Sequence, residues 1–169
     1  ALRGKVFLCG GCDQPIGDPR FPKAAAPAAE LFAVAPGASS EALPPMKKPR
    51  CYHAAALVNG RVLVCGGCPP GVIRALRSVE SYDPVEASWS EYTAMPRACL
   101  GHAVAVAAGK LYILAGLARE EIGCPSEPSV QCMDLETGVW EELQPMQERR
   151  AGFFAGVITR GPSKVRWAK

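Results

Sequence analysis

Met46-Lys-Lys-Pro-Arg-Cys-Tyr-His53-Ala-Ala-Ala-Leu-Val-Asn-Gly60-Arg-Val-Leu-Val-Cys-Gly66-Gly67 is repeated further along the chain, and the repeat decides the fold. The later copy reads Met95-Pro-Arg-Ala-Cys-Leu-Gly-His102-Ala-Val-Ala-Val-Ala-Ala-Gly109-Lys-Leu-Tyr-Ile-Leu-Ala115-Gly116. Met46, His53, Ala54, Gly60 and Gly67 each return 49 residues later, and a cation follows both Gly60 and Gly109. Asp83, Trp89 and Met95 return 51 residues later as Asp134, Trp140 and Met146. Upstream, Glu30 and Phe32 precede Glu80 and Tyr82 by 50 residues, and Gly4 to Gly11 is another copy of Gly60 to Gly67. A period near 50 marks a repeat architecture, in which each unit buries its apolar face against the next.

Within one repeat the pattern predicts four short antiparallel strands. Tyr52 to Val58 is the first, and Asn59-Gly60 suits a type I′ hairpin turn, whose central positions both need positive φ. Arg61 to Cys65 is the second, ending where Gly66-Gly67 lacks Cβ atoms and allows close backbone approach. Ser78 to Asp83 is the third, closed by the turn initiator Asp83-Pro84. The fourth begins near Trp89, whose large apolar face is expected to pack between neighbouring units. No stretch reads as a long amphipathic helix.

The doublets Gly10-Gly11 and Gly66-Gly67, the Tyr82-x6-Trp89 pair, the Met133-x6-Trp140 variant and the Met-(Pro)-Arg turns together resemble the kelch family, over residues 4 to 158. The resemblance implies an all-β, kelch-type β-propeller. It is incomplete, with about three four-stranded blades over residues 1–158, boundaries near 46–50, 95–99 and 146–150, and a divergent basic tail at 159–169. Gly10, Gly11, Gly66, Gly67, Gly116, Tyr82, Trp89 and Trp140 are its structural repeat residues. The strand count gives three strands of a first blade, two complete blades, and the first strand of a fourth at Arg150 to Ile158. Closed propellers of the family carry more blades, usually six. The chain is therefore expected to be a piece of a longer protein or a truncated product. After Ile158 the repeat pattern gives way to Thr159-Arg-Gly-Pro-Ser-Lys-Val-Arg-Trp-Ala-Lys169. In the first blade Ser39 or Ser40 replaces the Trp, and the Pro- and Ala-rich connection from Cys12 to Ala28 is expected to project as a loop.

The composition narrows the function. Apolar residues make up 49% and charged residues 21%, as in an ordinary globular protein. The net charge of +3 owes much to Arg160, Lys164, Arg166 and Lys169, so the body is nearly neutral and nucleic-acid binding is not expected. No apolar run reaches the roughly 18–20 residues of a membrane helix. With no recognisable secretory signal the eight cysteines are expected to be reduced and the protein cytoplasmic.

Two Cys-Gly-Gly-Cys motifs, Cys9/Cys12 and Cys65/Cys68, have zinc half-site spacing. The kelch Gly-Gly accounts for that spacing, the third copy carries Leu114 and Leu117 instead, and the two pairs lie in different blades. No metal or cofactor is expected. An oxidase-like propeller would need a converging Tyr, His and Cys set, and His53 and His102 share one repeat position, which favours a structural role. No catalytic motif is present, so the chain is not expected to be an enzyme.

Propellers bind partners through connections held on a rigid scaffold. Arg50, Arg97, Arg149, Arg150, Arg74, Arg77 and Arg119 lie in such connections. The family resemblance puts the Arg four residues after the turn Met on the partner face, which Arg50 and Arg150 match, whereas Arg97 is offset. Such arginines can take a carboxylate bidentately, suiting an acidic peptide motif, or can pair with neighbouring blades. The sequence leaves both open. Ser-Val-Glu-Ser-Tyr-Asp-Pro84 looks like the propeller of a BTB-kelch substrate adaptor of a cullin-RING ubiquitin ligase. Cullin would be bound through regions absent from this chain. The alternative is an actin- or cytoskeleton-associated kelch scaffold.

Overall fold

The computed structural model describes residues 5–12, 28–33, 39–117 and 126–158. Three antiparallel sheets follow one another along the chain. The first holds β1 (Lys5–Cys9), β2 (Ala29–Ala33) and β3 (Ser40–Leu43). The second holds β4 (Ala54–Val58), β5 (Arg61–Cys65), β6 (Val79–Asp83) and β7 (Ser88–Glu91). The third holds β8 (Ala103–Ala107), β9 (Lys110–Leu114), β10 (Val130–Asp134) and β11 (Trp140–Leu143). Each sheet pairs its strands in chain order, and β4 also lies beside β8, so the first strands of successive four-stranded sheets are neighbours.

Local chemistry sets the register. Val58 pairs with Arg61, leaving Asn59 (φ 48°) and Gly60 (φ 81°) as a two-residue turn with the signs type I′ requires. Ala108 (φ 48°) and Gly109 (φ 72°) do the same between β8 and β9. The next hairpins close on aspartate. Asp83 accepts the N–H groups of Val85 (2.9 Å) and Glu86 (3.3 Å), and Asp134 those of Glu136 (3.0 Å) and Thr137 (2.9 Å). A short carboxylate folding back on its own backbone is what makes Asp a turn former.

The core lies between sheets. In the first seam Phe7 and Ala29 of the first sheet meet Val62, Val64, Tyr82 and Trp89 of the second. The Phe7, Tyr82 and Trp89 rings lie 5.1–6.1 Å apart and tilted, and the Trp89 indole N–H reaches across to the Pro44 carbonyl at 2.8 Å. In the second seam Leu63, Cys65 and Val79 meet Leu111, Ile113 and Met133, with Trp140 packed against them. Trp89 thus packs between blades as the sequence implies.

Two expectations are corrected. The strand expected from Tyr52 begins at Ala54, because Tyr52 takes a left-handed φ of 53° that ends any ladder. The fourth-blade strand expected from Arg150 to Ile158 does not form: residues 151–158 contain no strand. Backbone bonds tie the start of that segment, from Gly152 N–H to Gly101 O (2.7 Å) and from Gly116 N–H to Arg150 O (3.1 Å). A ladder would need a second strand, and the sequence after Ile158 supplies no apolar run followed by Gly-Gly. The connection between Cys12 and Ala28, Arg119 and the 159–169 tail fall largely or wholly outside the described residues.

Glycine is required where the seams close. A Cβ on Gly66 (φ 59°) would stand 2.5 Å from the Cys99 carbonyl oxygen and 2.8 Å from the His102 ring, both from the third sheet's side of the seam. At Gly60 a Cβ would meet nothing within 4 Å. Gly66→Ala is therefore expected to cost about 2–4 kcal/mol, from left-handed strain and overpacking together. Gly60→Ala should cost about 1 kcal/mol from backbone strain alone. Urea titration of the two variants side by side checks the difference, and equal midpoints would refute it.

Candidate functional site

The connections after β5 and after β7 are fastened to each other, and their union forms one rim of the molecule. Leu76 and Cys99 make an isolated antiparallel bridge, with Cys99 N–H donating to Leu76 O at 3.2 Å. Met95 N–H donates to Arg77 O at 2.9 Å, and Arg77 Nε–H returns to Met95 O at 2.8 Å. Gly67 N–H donates to Cys99 O at 2.9 Å. Gly11 N–H makes the matching bond to Arg50 O at 3.0 Å across the first seam. The rim is thus a scaffolded backbone on which Arg74, Arg77 and Arg97 are exposed.

Arg50 does not belong to that exposed set, which corrects its place among the partner-binding candidates. It is fully buried. Its guanidinium donates to Gly66 O (2.8 Å), Ser78 O (3.1 Å) and Ser78 Oγ (3.1 Å), and pairs with the buried Glu80 carboxylate. The same carboxylate accepts Lys47 N–H at 2.8 Å and Lys48 N–H at 3.1 Å. Arg50 locks the entry to β4 onto β6 of the same sheet. The third sheet meets the same need without charge: Cys99 stands 49 residues after Arg50 and Gln131 stands 51 after Glu80. Gln131 Oε1 accepts Arg97 N–H at 2.8 Å, as Glu80 accepts Lys48 N–H.

The offset seen for Arg97 is therefore a true change of position, since Arg97 corresponds to Lys48. Lys48 pairs with Glu91 at 3.0 Å, and Arg97 takes Glu142 bidentately at 2.8 and 3.1 Å with Glu127 at 3.4 Å. Those carboxylates answer much of its charge. Arg149 and Arg150 are exposed beside the third sheet, and Arg74 and Arg77 are exposed on the β5–β6 connection.

The thiols and imidazoles fall into two groups. Cys9 Sγ lies 3.6 Å from His53 Nε2, but burial pushes the thiol up to about 11 and the imidazole down to about 4. A thiol and an imidazole shifted that way stay neutral, so they form no activated nucleophile pair. Burial likewise holds Cys65 up at about 12 and His102 down at about 4. Tyr52, His53, His102 and Phe153 help line an open groove of about 500 Å³ at the inner edge, where the blades' first segments approach one another. Among the described residues no three His, Cys, Asp or Glu side chains are placed to hold a metal ion.

The second group was not foreseen. Cys12 and Cys68, the trailing cysteines of the two Cys-Gly-Gly-Cys motifs, pack in one cluster around Cys51. The signal lay in the repeat, since Cys51 and Cys68 correspond to Leu100 and Leu117. Those leucines form the matching isolated bridge one sheet on.

Comparison with known proteins agrees with this architecture. The kelch motif family matches at residues 49–96 and 98–147, covering the second and third sheets. Human Kelch-like protein 34 is 36% identical over 118 residues, 69% of this chain and 18% of that protein. Mouse Kelch-like protein 35 is 33% identical over 100 residues, 59% of this chain and 17% of that one. Bovine Kelch-like protein 36 is 41% identical over 99 residues, 59% and 15% respectively. The matched stretch thus spans less than a fifth of each relative. The solved structure of YjhT superposes with a TM-score of 0.74 at 18% identity, over 91% of this chain and 53% of that one. With its repeats, its seams and its blades matched in this way, the chain belongs to the kelch motif family and folds as part of a kelch β-propeller.

Proposed function

We propose that this chain is part of the substrate-recognition propeller of a BTB-kelch adaptor of a cullin-RING ubiquitin ligase, acting in the cytoplasm as a binding module and not as an enzyme. The similarity to Kelch-like proteins 34, 35 and 36 supports the reading. The observation that carries it is the rim. Its connections are bonded at Leu76–Cys99 and Arg77–Met95, yet Arg74 and Arg77 remain exposed on it. A backbone fixed before binding loses little entropy when a partner docks, and the exposed guanidinium groups suit an acidic peptide.

The test is capture from cells with the full-length protein that carries this chain. Arg74→Glu with Arg77→Glu should reduce capture of the partner at least tenfold, on the order of one charge-assisted hydrogen bond lost. Cullin capture, made elsewhere, should not change. Recovery of actin without cullin would overturn the reading in favour of a cytoskeletal scaffold.

A further inference from the structure

Cys51 and Cys68 face each other as a closed antiparallel pair. Cys51 N–H donates to Cys68 O at 3.0 Å and Cys68 N–H to Cys51 O at 2.9 Å. The two sulfur atoms are 3.5 Å apart, and both residues are fully buried. Directly opposed residues of such a pair stand about 5.5 Å apart at Cα, within the roughly 4.4–6.8 Å that a disulfide bridges. Side-chain rotation alone can close the remaining gap. Packing does not require sulfur here. One sheet on, Leu100 and Leu117 occupy the same bridge with the same two bonds, at 3.1 and 2.9 Å.

We infer that Cys51 and Cys68 are an oxidisable dithiol site, closed to a disulfide by hydroperoxides through Cys12, the half-buried third thiol of the cluster. Cys12 is the member nearest to solvent and engages the Cys51 thiol. Its thiolate attacks one peroxide oxygen, giving the sulfenic acid and releasing hydroxide or alkoxide. The Cys68 thiol, held below its ordinary value by the hydrogen bond with Cys51, then attacks that sulfur, expelling water and forming a Cys12–Cys68 disulfide. Cys51 attacks Cys68, the Cys12 thiolate leaves and takes up the Cys51 proton, and the Cys51–Cys68 bond remains. Two protons and two electrons have left the pair, and the peroxide O–O bond has accepted the electrons. The contact with Cys68 is what chiefly raises the Cys51 thiol, and it is lost once Cys68 is bonded, which leaves Cys51 to attack in the last exchange.

The product would join the entry to β4 with the start of the connection that carries Arg74 and Arg77. This site does not depend on the ligase reading, because its test involves no partner. The purified chain is treated with hydrogen peroxide, alkylated, digested without reduction and mapped by mass spectrometry. A linked pair of peptides containing Cys51 and Cys68 is expected, lost on reduction, together with a rise in Tm of about 5 °C or more for a crosslink closing a loop of this size. Cys12→Ser should slow crosslinking severalfold without changing its end product. Cys51→Leu/Cys68→Leu, which copies the Leu100–Leu117 bridge, should fold and show neither link nor Tm rise. Crosslinks scattered among Cys9, Cys65 and Cys99, or no crosslink while the tryptophan fluorescence stays native, would overturn the inference.

Discussion

Glu80→Ala is expected to destabilise the chain by about 3–5 kcal/mol, the range for breaking a buried ion pair from one side. The variant leaves the Arg50 guanidinium fully buried without its counter-charge. It also removes the acceptor of the Lys47 and Lys48 N–H groups. Arg50 cannot turn outward, because Gly66 O and Ser78 O hold the same group inside. The third sheet supplies the rescue, since it fills the corresponding places with Cys99 and Gln131. Arg50→Cys combined with Glu80→Gln should therefore recover most of the loss. Removing both charges of a buried pair together is commonly close to neutral. Urea titrations of the single and double variants decide it. A single variant within about 1 kcal/mol of wild type would show that the buried pair adds little.

The second large effect is a loss of stability in mild acid. His53 and His102 are held down to about 4 in the folded chain, chiefly by burial, against an ordinary 6.5. Above that ordinary value both are neutral folded and unfolded, and the full stability is present. As the pH falls from 6.5 toward 4, the unfolded chain takes up protons that the folded chain refuses, and stability drops through that window. Each histidine can contribute roughly 3 kcal/mol to the drop. The half-buried carboxylates of Asp83 and Asp134 are held below their usual values by backbone N–H groups, so their share is lost only at still lower pH. The urea midpoint should fall steeply between pH 7 and pH 5 for the wild-type chain. It should fall much less for His53→Gln/His102→Gln. A wild-type midpoint flat across that interval would refute the assignment.

Most of the fold was legible in the sequence, for a physical reason. Turns and seams demand particular residues: Asn59-Gly60 needs positive φ twice, Gly66 sits against the next blade's carbonyl, and Trp89 fills a seam. Such demands recur in every unit, and a period makes them visible. The candidate site was less legible because its determinants are departures from the period. Arg50 matched a family position, but its fate depended on Glu80, a strand partner 30 residues away whose burial no local pattern announces. Arg97 looked like a displaced copy of Arg50 and is instead the counterpart of Lys48. The Cys51–Cys68 pair was hidden because the Gly-Gly doublets drew attention to spacing within each motif, while the fold pairs thiols between segments. The fourth-blade strand failed for a related reason, since a periodic match cannot supply the hydrogen-bonding neighbour a strand requires.

The glycine seats give the repeat a direction along the chain. Each seam is written half in one unit, by Gly10 or Gly66, and half in the following unit, by Met46 with His53 or Met95 with His102. In the third copy the residue at the glycine position is Ala115 and the residue at the histidine position is Phe153, so both halves differ there. A duplication or exchange cut between blades would separate a seat from its occupant. One cut inside a blade, between the second strand and the next turn Met, would carry neither half away from its own strand set but would likewise have to match across the join. A blade exchanged for another therefore keeps its packing only where the seat and the occupant brought across the new join match, as Gly10 with His53 and Gly66 with His102 do.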